Sequence, residues 1–292
     1  MKSNIELLVK IAITGVFSAL CFAMTYVNVP MPTGDMVHLG NFVMILAALL
    51  LGGLYGGIVG SLGMGLYDII YFSSRPTTII RTFILKFIVG FIVGFIFKLI
   101  ISKKTNTKPL LLSSIGFFGI TGITSILLFF VGDFSEFGFS NGFASQIGKL
   151  KISVFVPVFT FIFMILFIVA YIYNKKLSDR SKAALFAVTV AILVNILGEF
   201  LLRYLLEGIS NVYVQGLENG FNVSLLTAIS KIPGSVITGI ISVLFAVIIY
   251  EPVYMGVKHL SFFKDNTFEE IDENNEGAPD VVVDDATFKK TA

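Results

Sequence analysis

Apolar runs separated by short polar breaks fill the chain from residue 7 to residue 257. A helix rises ~1.5 Å per residue and a bilayer core is ~30 Å thick, so roughly 20 apolar residues make a span. Eight runs come near that length, over residues 7–27, 39–51, 53–72, 77–101, 110–131, 150–174, 181–207 and 224–257. They predict an all-α, polytopic membrane bundle of about eight spans. The second run is short, and Gly52 and Gly53 turn it straight into the third, which predicts a tight hairpin at one face of the membrane. Lys231 precedes Pro233, so the last helix is expected to break or start there. No small-residue cleavage site follows the long first run, which is expected to stay as a helix.

Composition agrees with this pattern. Hydrophobic residues make up 55% of the 292 positions and charged residues 14%, and the mean hydropathy is strongly positive. Such a chain is no soluble globule. The single cysteine, Cys21, lies in the first apolar run, so no intrachain disulfide forms and thiol-based metal clusters are excluded. Residues 265–285 hold nine of the nineteen acids and no base, which leaves the apolar part distinctly basic. Residues 1–260 therefore read as a transmembrane domain and 261–292 as a disordered acidic tail on the cytoplasmic side.

The placement of that basic charge sets an orientation. With the N-terminus inside, twelve lysines and arginines fall near inner helix ends, among them Lys98, Lys103, Lys175, Lys182 and Lys258. Only Arg75, Lys149 and Lys151 fall near outer ones. The excess predicts an N-in, C-in chain with an even number of spans. The loops at 28–38, 73–76 and 208–222 then face outward and together cover a site opening to the outside, expected to be mostly apolar with a few polar groups that fix orientation.

Ionisable groups at membrane depth are expensive, and each is a functional candidate. Asp68 ends the third helix beside Tyr67; the alternative is a residue at the membrane surface. Arg81 and Lys86 lie five apart on the fourth helix, on different but neighbouring faces, and Arg81 reads equally as an interfacial snorkel. Asn195, Glu199 and Arg203 recur every four residues on the seventh as one polar stripe, in which Glu199 and Arg203 either serve a site or satisfy each other. Asn41 sits one turn into the second helix, with His38 just before it in an outer loop. Gly15, Ala19 and Ala23 recur every four residues on the first helix and leave a groove for another helix, inside or outside the bundle. The rows Gly52/Gly56/Gly60 and Gly53/Gly57, and Gly90 with Gly94, suit internal packing.

Catalytic signatures are missing. No stretch fits the P-loop pattern, so ATP binding needs another chain, and His38 and His259 fall on opposite sides of the membrane. With no zinc-protease, serine-hydrolase or clustered carboxylate motif, the chain reads as a binding and transport protein without catalytic residues, metal or cofactor.

The residues HLGNFVMILAALLLGGLYGGIVGSLGMGLYDII, followed by PTTIIRTFILKFIVGFIVG, resemble the substrate-binding (S) components of energy-coupling factor (ECF) vitamin transporters, in the branch that includes riboflavin, pyridoxine and hydroxymethylpyrimidine carriers. AILVNILGEFLLRYLLEG and AISKIPGSVITGIISVLFAVIIYEP are similar to that family's fifth and sixth helices. The resemblance implies a six-helix carrier in a bacterial cell membrane. Such a carrier captures a water-soluble vitamin or precursor outside and docks on a transmembrane coupling (T) subunit driven by two cytoplasmic ATPases, with no nucleic-acid partner. It implies that Ala19 and Ala23, with Gly15, form the face that meets the T subunit. It also implies a pocket around Asp35, His38, Asn41, Tyr67, Asp68 and Arg75, faced by Asn195, Glu199 and Arg203. The apolar segments within 110–175 have no place in a six-helix carrier and read as an inserted helix pair, which preserves the topology of all that follows. The absence of tryptophan leaves stacking on a flat ligand to Tyr and Phe. A self-sufficient ion-coupled secondary transporter is the alternative, since buried Asp68, Glu199, Arg203 and Lys231 with a broken helix at Pro233 suit a proton relay.

Overall fold

The computed structural model describes residues 2–30, 36–131 and 143–259. Asp35, the loop around Asp133 and Glu136, and the acidic tail lie outside them. The described chain forms α1 (Lys2–Tyr26), a hairpin of β1 (Asn28–Pro30) and β2 (Met36–His38), α2 (Gly40–Leu51), α3 (Gly53–Tyr71), α4 (Pro76–Ser102), α5 (Thr107–Val131), α6 (Phe143–Ile172), α7 (Asp179–Ile209) and α8 (Gly220–Val257). The antiparallel β1–β2 register pairs Asn28 with His38 and Pro30 with Met36. Among the described residues, α1, α3, α4, α5, α7 and α8 are long and apolar enough to cross a membrane. The result is a polytopic helical bundle.

The centre of the bundle is α2, wrapped by α1, α3, α4 and α8. All of its residues except Phe42 are buried, as a helix apolar on every side requires. Its 12 residues reach only ~18 Å against a ~30 Å core. Gly52, at φ +96°, turns the chain into α3 as the hairpin expectation required. The turn shares a small crevice with Lys98 and Arg180, at the lysine-rich end of the bundle. Starting from that end, α2 stops well short of the other and leaves room above its N-terminus.

In lipid the helices gain from close backbone contact rather than from expulsion of water, so small residues line their seams. Cβ atoms on Gly90 or Gly94 would run into the backbone of Gly56 or Gly53, which makes α3–α4 the tightest seam. The two glycine rows of α3 divide their work as internal packing. Gly53 and Gly57 face α4, while Gly56 and Gly60 face Ala48 and Met44 of α2. On α1 the buried stripe is Thr14, Ser18, Cys21 and Thr25; the three hydroxyls donate to carbonyls one turn back, and the Cys21 thiol donates to the Gly40 carbonyl of α2. Gly15, Ala19 and Ala23 lie exposed on another face, so they do not pack inside this bundle.

Three boundaries depart from expectation. α6 starts at Phe143, and α7 continues to Ile209 and then a π-helical turn at Ser210–Val214, so much of the 208–222 loop is helix. α8 runs unbroken from Gly220 through the buried Pro233 and exposed Pro252 to Val257. The break expected at Pro233 is absent because packing along the whole of α7 holds the helix together across the missing hydrogen bond. α5 and α6 pack chiefly on each other through Phe118, Phe163 and Phe167, touching α7 and α8 along one edge.

Candidate functional site

The space above α2 is a cavity of about 760 Å³, within the range of small-molecule sites. Its floor is the start of α2, and its walls are the end of α3, the first turns of α4, the last turns of α7 and the first half of α8. His38, Asn41, Tyr67 and Asp68 line it, with Arg75 at the start of α4 and Asn195, Glu199 and Arg203 on α7. The fold thus brings together every expected site residue that is described, leaving only Asp35 outside the described residues. The lining itself departs from expectation: it is mostly polar and charged, not apolar.

Glu199 is the hub. Its carboxylate lies 3.1 Å from Arg81 Nε, 3.4 Å from Lys86 Nζ and 3.6 Å from an Arg203 guanidinium nitrogen. Glu207, about two turns further along α7, takes Arg81 and Arg203 at 3.2 Å each. Lys86 also donates to Asn195 Oδ1 at 2.7 Å. Glu199 and Arg203 are therefore not a private pair, because α4 packs against α7 and supplies two more cations. Arg81 is buried, not snorkelling, and with Lys86 reaches the same carboxylate despite the spacing of five. Asp68 is no surface residue either: it is buried and accepts from the Thr82 hydroxyl.

The floor is set by local hydrogen bonds. The Gly40 backbone N–H donates to His38 Nδ1 at 3.2 Å, which leaves the proton of the neutral imidazole on Nε2. Burial, reinforced by the nearby Lys86 charge and opposed by Glu199, lowers the His38 pKa from 6.5 to about 4, so the ring is neutral at pH 7. Asn41 is 3% exposed, and its amide oxygen has no hydrogen-bond partner among the described groups. The Nε–H groups of Arg81 and Arg203 are likewise not hydrogen-bonded, the first lying out of line with Glu199. Buried polar groups left in this state are ready to pair with a ligand. Tyr67 accepts from Asn28 Nδ2 at 3.2 Å and stacks beside Tyr71 with ring centroids 4.6 Å apart.

Sequence reasoning missed Glu207, the last residue of the helix it expected over 181–207, and Thr82. A signal for Glu207 was present, since the stripe Asn195–Glu199–Arg203 continues to it at the same interval of four. Arg81, Lys86 and Lys231, noted as intramembrane charges but not assigned to the pocket, also line it.

No curated protein and no solved structure matches the chain. The family model of the ECF-type riboflavin transporter S component matches residues 7–150, which span α1 to α5 and the start of α6. The match includes the floor of the cavity and its α3 and α4 walls, on a polytopic helical bundle. Over that stretch, just under half of its length, the chain is similar to the S components of ECF transporters.

Proposed function

We propose that this chain captures a small water-soluble vitamin or vitamin precursor outside the cell and delivers it inward together with a T subunit and two cytoplasmic ATPases. Riboflavin, pyridoxine and hydroxymethylpyrimidine are the classes to which the resemblance points. The observation that carries the reading is where the cavity sits. It occupies one end of the bundle, while Lys98, Lys103, Lys182 and Lys258 gather at the other, around the α4 C-terminus, the α7 N-terminus and the α8 C-terminus. The positive-inside rule puts that second end in the cytoplasm, so the cavity opens outward. Docking on the T subunit is the role of the exposed Gly15, Ala19 and Ala23 face of α1.

The test compares binding with uptake. The purified chain alone is expected to retain a small molecule, released on denaturation and identified by mass spectrometry. Uptake in cells is expected only when the T subunit and both ATPases are present, and to persist when an uncoupler collapses the proton gradient at constant ATP. Uptake by the chain alone, abolished by the uncoupler, would instead establish the secondary transporter.

A further inference from the structure

Resting on the capture reading, we infer that Asn41 sets ligand specificity. Its buried amide oxygen accepts a hydrogen bond from an uncharged N–H or O–H group on the end of the ligand that reaches the floor. It thereby turns away molecules that lead with a carboxylate or with a donor blocked by alkylation. Asn41 stands at the second position of α2 and is the one polar side chain in the 12 residues of that helix. An amide in so apolar and buried a helix is costly unless it is hydrogen-bonded. Yet Asn41 is 3% exposed, and its oxygen has no hydrogen-bond partner among the described residues. Nor does it cap the helix, since the N-cap is Leu39 and no side chain bonds the free N–H groups there. The side chain does line the cavity, and a ligand donor is the partner that the fold itself does not supply.

Three other buried side-chain atoms among the described residues lack a hydrogen bond: Arg81 Nε, Glu199 Oε2 and Arg203 Nε. All three sit in the ion network, on side chains with an opposite charge within 3.6 Å, which offsets their burial. Asn41 is neutral and has no such offset. That difference separates it from the walls and makes it the group whose pairing waits on what enters.

The neighbour of Asn41 on the floor sharpens the match. His38 lines the same cavity, and its Nδ1 accepts from the Gly40 N–H at 3.2 Å, so the neutral ring has an N–H to give and no acceptor left. The floor therefore offers an acceptor from Asn41 and a donor from His38. A ligand end that carries a donor close to an acceptor meets both, and the edge of an imide, a lactam or an aminopyrimidine has that pattern. A carboxylate brings acceptors alone and sets one against the Asn41 oxygen. A site built to bond a ligand N–H or O–H discriminates strongly against an analogue without it, because its own buried group is then left unpaired.

The experiment titrates the full-length chain in detergent with pairs that differ in one donor. They are riboflavin and riboflavin methylated on its imide nitrogen, hydroxymethylpyrimidine with a free and with a dimethylated amino group, and pyridoxine and its phenolic methyl ether. In at least one pair the free donor is expected to bind about tenfold or more tighter than its methylated partner. Asn41→Leu keeps a side chain of similar size, so any purely steric effect of the methyl group persists in it. It is expected to reduce the preference to about twofold or less, and without ligand to melt no lower than the parent, since the oxygen that it removes makes no bond. Asn41→Asp keeps an acceptor at a helix start that tolerates negative charge, and is expected to retain the preference. Methylated members that bind as well as their parents in every pair overturn the inference while leaving the capture reading standing. A preference that survives Asn41→Leu, or that Asn41→Asp abolishes, overturns the assignment to the amide oxygen. So does an Asn41→Leu chain that melts well below the parent without ligand, which would make Asn41 a structural residue. Binding by no member of any pair brings down both readings.

Discussion

Glu199 holds three cations from two helices, and that sharing decides what its replacement does. Exchanging Glu199 and Arg203 would be harmless in a private pair. Here it sets an arginine beside Arg81 and Lys86, so the exchanged chain is expected to unfold at lower temperature and to lose ligand binding. Glu199→Gln strips the hub of its charge and is expected to cost about 3 kcal/mol, read as a fall in thermal midpoint in detergent. An unchanged midpoint would show that Glu207 alone suffices. His38 gives a pH signature. Its pKa near 4 in the fold lies below the free value of 6.5, so the unfolded chain binds the extra proton between those limits. Stability therefore rises with pH from about 4 to 6.5 and is level above, as far as this group contributes. His38→Gln is expected to flatten that slope in a pH series of melting curves. At this scale the i, i+4 stripe on α7 was legible. The partners of Glu199 were not, because a one-dimensional pattern shows which residues share a face and not which other helix lies against it.

Seams between elements are set by residues with no side chain. Gly94→Leu thrusts a side chain into the Gly53 backbone and is expected to destabilise the bundle by about 2 kcal/mol or more. Gly15→Leu meets open space and is expected to stay within about 0.5 kcal/mol of the parent. Melting both variants in the same detergent checks the contrast, and equal losses would mean that the α3–α4 approach is not the tight seam described. The α2–α3 hairpin was readable from Gly52-Gly53 because few residues accept a positive φ. The unbroken α8 was not readable, because proline's local preference is overridden by packing along α7, a tertiary effect.

For the whole molecule, the hydrophobic pattern carried the membrane bundle, and positive charge at one end carried the orientation that we propose. The place of α5 and α6 is a matter of packing. Among the described residues none of theirs lines the cavity, and the Thr107 hydroxyl donates to Asp179 at 3.4 Å, so the chain leaves for α5 and returns at α7 within contact distance. We expect a chain with this pair excised and a short Gly-Ser linker in its place to keep ligand affinity within about threefold, measured by titration. Loss of binding would make the pair part of the folding core. Ala19→Leu with Ala23→Leu is expected to abolish uptake while the isolated chain still binds. Loss of both would place that face inside the bundle.

The shortness of α2 also has an electrical consequence. In the proposed orientation, water filling the cavity carries the outer solution partway into the membrane, and the insulating layer beneath it is only the ~18 Å of α2. The membrane potential falls across insulator and hardly at all across water, so it is compressed into that layer. A charged ligand reaches its seat almost free of the field and meets nearly all of it on the way in. For any charged ligand, that step involves about 2.3 kcal/mol per charge for each 100 mV. On the proposed reading, capture is then electrically silent, and any work against the voltage belongs to the step that the ATPases would drive.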